Sequence, residues 1–175
     1  MTAMLRNDRA IRRGFTLIEI LMVVLVLAIV AAIVIPSIGT ADDGQAISAA
    51  RALQSDLEVA RSLAMMTQVP HAVVFNTSRQ SYKVVANYMG GDYSTAVAIV
   101  DPVRPGGFME VTLAARQGMP SVTVVSAFGG AGAVTFTSLG EPLAGGSVTL
   151  RAGQTEMVIT VEELTGIITT ARTAG

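Results

Sequence analysis

Phe15-Thr16-Leu17-Ile18-Glu19-Ile20-Leu21-Met22-Val23-Val24-Leu25-Val26-Leu27-Ala28-Ile29-Val30-Ala31-Ala32-Ile33-Val34-Ile35 is a run of 21 residues in which only Thr16 and Glu19 are polar. At about 1.5 Å per residue, a helix of this length covers roughly the 30 Å hydrocarbon core of a bilayer. A carboxylate in such a helix costs about 2.5–3.5 kcal/mol at mid-bilayer and less near the end, where Glu19 lies. An acid held there needs a partner.

Just before the run, Arg6, Arg9, Arg12 and Arg13 face one acid, Asp8, so the first 14 residues are basic and the remainder of the chain is acidic on balance. A basic flank places the N-terminus in the cytoplasm and carries the rest across the membrane. The acidic body is a poor match for a nucleic-acid backbone, and no nucleic-acid partner is expected. With 175 residues, one membrane segment and one globular domain account for the chain. Cysteine is absent, which excludes a disulfide framework, a thiolate metal site and a cysteine nucleophile.

After the run, Pro36 removes a helical hydrogen bond and crowds the preceding turn, so a kink or local unwinding is expected there, with Ser37 to Gly44 as a hinge or frayed turn. From Gln45 to about Thr67 a single apolar stripe of Ile47, Ala50, Leu53, Leu57, Ala60 and Ala64 predicts an amphipathic helix that ends before Pro70. Arg51, Ser55, Glu58 and Ser62 take the opposite face, with Glu58 and Arg61 spaced for a surface pair. Together the two helical stretches would make one nearly continuous rod.

Beyond it, short runs rich in Val, Thr, Ile and Ala predict strands at 71–75, 81–86, 95–100, 110–114, 122–126, 133–137, 147–151, 157–161 and 166–170. Asn76-Thr77-Ser78 and Leu143-Ala144-Gly145-Gly146 read as hairpin connections, 101–107 as a long loop, and 127–132 (Ala-Phe-Gly-Gly-Ala-Gly) as a flexible connection.

Catalytic chemistry finds little to stand on. His71 is the sole histidine and opens a predicted strand, with no acid or nucleophile at a triad spacing. Asp42-Asp43 and Glu162-Glu163 are adjacent pairs whose side chains diverge, so they read as solvated surface. The glycine-rich stretch lacks the lysine and Ser/Thr of a phosphate loop. No catalytic residue, metal ligand or cofactor is assigned, and the protein is not expected to be an enzyme. A secretory signal cut after Ala41 is weighed against a longer apolar run than such signals carry and an acid inside it. A bare membrane anchor also leaves Glu19 without a purpose.

Arg13-Gly14-Phe15-Thr16-Leu17-Ile18-Glu19, with Pro36 beyond it, resembles the cleavage and methylation signal of type IV pilins and type II secretion pseudopilins. Residues 53–62, Val73-Val74-Phe75, the run 134–140, Thr149-Leu150, residues 158–161 and Thr165-Gly166 resemble the GspH/FimT branch of minor pseudopilins and minor pilins. In the usual branch pattern a basic residue often follows the closing glycine, whereas Ile167 follows Gly166 here.

The resemblance implies an α+β pilin fold: a long N-terminal helix, transmembrane in its first half, packed on an antiparallel β-sheet sandwich. It divides the chain into a leader peptide, 1–14; a transmembrane and assembly helix, 15–36; an amphipathic continuation, 37–69; and a β-rich domain, 70–175. A prepilin peptidase would cut between Gly14 and Phe15 and methylate the new Phe15 amine, while Glu19 would answer that amine during assembly and Pro36 would kink the helix. The implied protein is a structural subunit of a secretion pseudopilus or type IV pilus, single-pass in a bacterial inner membrane with its C-terminal domain periplasmic. Its implied partners are other pilin or pseudopilin subunits, the peptidase and secreted cargo. A surface-binding subunit for adhesion or DNA uptake is the alternative role.

Overall fold

Leu17–Val34 forms the first helix, α1, and Gly39–Thr67 the second, α2. The computed structural model describes residues 15–34, 39–88, 90, 93–102 and 106–173, and the chain divides into two compact units, Met1–Ile38 and Gly39–Gly175. Pro36, with its expected kink, lies outside the described residues, as does Gly14. The 18 residues of α1 rise about 27 Å. Among the described residues no helix is long and apolar enough to cross a membrane.

α2 starts at Gly39, earlier than the apolar stripe alone indicates, because residues 39–44 carry no helix breaker other than glycine and extend the turn. Its stripe is deeply buried: Ala46, Ala50, Leu53, Leu57, Ala60 and Ala64 are all fully covered. Ile47 is only half-buried, and Ala46 and Ala49 take the place expected of it. Arg51, Ser55, Glu58 and Ser62 are exposed on the other side. At the C-terminus, Gln68 turns out of the helix with φ 56°. Its side-chain amide donates to the Met65 carbonyl at 2.7 Å, and the Thr67 hydroxyl to the Leu63 carbonyl at 2.7 Å. The Gln68 bond satisfies one of the carbonyls that a helix end leaves without a partner.

Among the described residues eight strands follow: β1 His71–Asn76, β2 Ser81–Ala86, β3 Glu110–Thr112, β4 Thr123–Ala127, β5 Ala133–Phe136, β6 Gly146–Ala152, β7 Thr155–Val161 and β8 Ile168–Thr173. They make two four-stranded sheets, ordered β3-β2-β1-β5 and β4-β6-β7-β8, and every pairing is antiparallel. α2 packs against β1, β2 and β5 of one sheet and β6, β7 and β8 of the other, so a single core joins all three layers. In the second sheet burial alternates, with Val148, Leu150 and Ala152 of β6 and Met157, Ile159 and Val161 of β7 turned inward. The first sheet is covered on both faces. Val73, Phe75, Tyr82 and Val84 enter the main core, while Ala72, Val74 and Val85 join Tyr93 in a smaller cluster on the outer side.

Several expected elements differ. Residues 95–100 make single bridges, Val85 to Ala98 and Val100 to Phe108, in place of a strand. β3 covers the edge of β2 at residues 81–83, and beyond it the Ile99 N–H donates to the Val84 carbonyl at 2.9 Å. The expected strand 110–114 stops at Thr112 and becomes a 3-10 turn, Leu113–Ala115, that drives Leu113 into the core.

Leu143–Gly146 is not a hairpin: β5 and β6 belong to different sheets, and β5 pairs with its own return through Leu143 N–H to Thr135 O at 2.8 Å. Gly166 lies in the turn before β8. The glycine-rich connection is a tight 3-10 turn that buries Phe128, whose ring centroid is 5.7 Å from that of Phe75.

Candidate assembly site

Thr16 caps α1. The Glu19 N–H donates to the Thr16 carbonyl at 3.0 Å and to its hydroxyl oxygen at 3.3 Å, the arrangement that Thr-x-x-Glu favours at a helix start. Glu19 therefore lies in the first turn, where the positive end of the helix dipole favours an acid. Its carboxylate is exposed, as is Phe15 at 78%. The cap ties the position of Glu19 to the backbone directly after Phe15.

Downstream, apolar side chains point outward on every side of the helix: Leu17 is 84% exposed, Leu21 58%, Leu25 52% and Ile29 54%. Burying a side chain of this size is favourable by about 1.5–3 kcal/mol. A helix presenting so many of them requires an apolar surrounding, either lipid or other helices.

The second unit holds its charges in specific pairs. Asp43, expected as solvated surface, accepts from the Thr155 hydroxyl and from Arg172 Nη2 at 3.0 Å. The Thr155 hydrogen bond, reinforced by Arg172, holds its carboxyl below the ordinary range despite partial desolvation. Arg61, expected to pair with Glu58, instead bridges two loops: Nε donates to Gly140 O at 2.9 Å and Nη2 to Thr165 O at 3.1 Å.

Tyr82 donates to Asp56 at 2.6 Å beside Arg116, and burial together with Asp56 pushes its phenol well above the usual value. On the outer face of the first sheet, the buried Lys83 ammonium sits 4.1 Å from the Tyr93 ring centroid, and Tyr93 donates to Glu110 at 2.8 Å. His71 is buried with Nδ1 2.8 Å from the Val69 carbonyl. Among the described residues no group of acids and histidines is arranged to hold a metal ion. The Thr16 cap was not among the sequence expectations, although the Thr-x-x-Glu spacing carries its signal. The partners of Asp43 and Arg61, far away in sequence, had no local signal.

An apolar helix opening on a capped acid, and a following helix laid on antiparallel sheets, are the parts of a pilin-class subunit. The family model for type II transport protein GspH matches residues 49–165, and that for the prokaryotic N-terminal methylation motif matches residues 9–35. The chain belongs to the GspH family, whose members are structural pseudopilin and pilin subunits.

Two solved structures share the fold. The minor pseudopilin EpsH from the Type 2 Secretion System of Vibrio cholerae aligns with TM-score 0.51 and 10% identity, over 73% of this chain and 96% of that one. The Pseudomonas aeruginosa type IV minor pilin FimU aligns with TM-score 0.50 and 16% identity, over 74% of this chain and 90% of that one. No curated protein matches the chain in sequence.

Proposed function

We propose that the protein is a non-catalytic subunit that waits in the bacterial inner membrane and enters a secretion pseudopilus or type IV pilus through residues 15–36. The leader, residues 1–14, is removed by a prepilin peptidase after Gly14, and the Phe15 amine is methylated. The N-terminus faces the cytoplasm and the C-terminal domain the periplasm. Extension of the filament acts on secreted cargo or presents its tip.

The observation that carries this reading is the exposed apolar surface of α1 behind a capped Glu19. Cleavage leaves a cationic amine on Phe15 at the mouth of an apolar segment. In the filament, Glu19 neutralises the amine of a neighbouring subunit or its own, and at low dielectric the loss of one partner of a buried pair costs about 3–5 kcal/mol.

Mass spectrometry of the mature chain is expected to find methylated Phe15 at its N-terminus; any other start overturns the assignment. Glu19→Ala should be cleaved and retained in the membrane yet be missing from isolated filaments, and normal incorporation refutes the role of Glu19. A bulky residue at Gly14 should leave the precursor uncut, because the peptidase subsite is expected to accept only a residue without a side chain.

A further inference from the structure

We infer that the end of the β-rich unit where α2 finishes is a preformed docking surface for the head domain of another subunit of the same filament. The inference rests on the filament role proposed above and adds the surface that the role would use.

Three segments meet there: the last turns of α2, the return after β5 (137–145) and the turn between β7 and β8 (162–167). Arg61 binds the two loops together through the Gly140 and Thr165 carbonyls. Glycines let them close. A Cβ at Gly166 would lie 2.9 Å from the Gly140 carbonyl oxygen, one at Gly140 would lie 2.7 Å from Met65 Sδ, and one at Gly145 would lie 2.8 Å from the Glu163 backbone nitrogen. Gly140 and Gly166 also hold φ of 82° and 64°, which side chains rarely adopt. The loops are thus locked to each other and to the helix.

What this rigid junction presents outward is apolar. Leu164 is 84% exposed, Met66 76%, Leu139 73%, Leu143 68% and Ile167 51%. Exposed apolar side chains are ordinary when scattered, but several on touching segments mark a binding surface. Rigidity lowers the entropic cost of association. The stretches 137–145 and 162–167 contain Glu141, Glu162 and Glu163, all exposed, and no lysine, arginine or histidine. The guanidinium of Arg61 is turned to the two loop carbonyls.

An acidic apolar face repels nucleic acid and anionic lipid headgroups. It complements a protein face with apolar centres and a basic rim. The surface lies at the opposite end of the 29-residue α2 from Gly39, where the chain arrives from the first unit.

The test uses the full-length chain in cells that assemble the filament, with a photo-crosslinking amino acid at Leu164 and, as a control, at the exposed Ser121, which is held by Gln45 near the start of α2. Leu164 is expected to give an adduct whose peptides identify a second pilin-class subunit, with about tenfold less from Ser121. Leu139→Asp, and separately Glu141→Lys with Glu163→Lys, should each lower the adduct by about tenfold, the loss of one strong anchor. Melting curves of the purified full-length variants should stay within a few degrees of the parent, since the altered side chains are solvent-exposed.

Adducts only with lipid or unrelated proteins, no adduct, or equal yield from Ser121 would overturn the docking surface. Filament incorporation that still depends on Glu19 alongside such a result removes the surface alone. Failure of the parent chain to enter filaments removes the filament role and the surface with it.

Discussion

α1 and α2 are consecutive helices of one chain with opposite relations to their surroundings. In α1 the apolar residues circle the axis and every large one described is more than half exposed. In α2 most of them form one stripe that is covered by two sheets, polar residues take most of the opposite face, and Met65 and Met66 emerge only in the last turn. Helical propensity does not account for the contrast, since α1 is half Val and Ile, weaker helix formers than the Ala and Leu of α2, yet both segments are helices. The difference is where the partner surface resides. α2 carries its partner within the same chain, and α1 must find one in lipid or in other subunits. Stability of the head and incorporation into a filament should therefore respond to different mutations.

The largest contrast is expected between Leu57→Ala and Leu25→Ala. Leu57 is fully buried, and truncating it should cost the head about 2–5 kcal/mol in chemical denaturation. Leu25, 52% exposed on α1, should leave the melting of the head unchanged while weakening membrane retention or filament yield. Equal effects of the two on melting would erase the distinction between the helices.

Gly166→Ala comes next. The added methyl meets the Gly140 carbonyl and a φ of 64°, so a loss of about 1–3 kcal/mol is expected in the same measurement. No loss would show that the loop junction yields easily.

The smallest effect concerns Asp43. Its folded pKa lies below the unfolded value of about 3.9, so its pairing with Thr155 and Arg172 stabilises the fold fully above that pH. The contribution fades as pH falls through the lower folded value. The melting difference between parent and Asp43→Asn should be level near neutrality and close in acid. A difference that grows in acid would mean that Asp43 does not act through its charge.

Much of this architecture was legible because it follows from local periodicity. Spacings of three and four named Ala50, Leu53, Leu57, Ala60 and Ala64 as a buried stripe, and short runs rich in Val, Thr and Ile marked β6 and β7. The residues proposed for assembly, Phe15 and Glu19, stood out similarly, since a lone acid in an apolar run conflicts with its own setting. Illegible were the features set by partners remote in sequence. Residues 95–100 have strand composition but make single bridges to Val85 and Phe108, and Leu143–Gly146 has hairpin composition but joins different sheets. Asp43 and Arg61 looked like surface charges until Thr155, Arg172, Gly140 and Thr165 were brought beside them.

The sequence by itself determined that the chain has an apolar N-terminal helix with one acid in its first turn, an amphipathic helix after it, and a β-rich remainder. Each of those properties depends on residues a few positions apart, where backbone geometry alone sets which side chains share a face. Only the tertiary structure decided how eight strands divide into two sheets, which charges are paired, and that the loops after β5 and β7 close on Arg61 with their leucines outward. Those outcomes depend on which distant segments compete for the same edge or carbonyl, and local spacing carries no record of that competition.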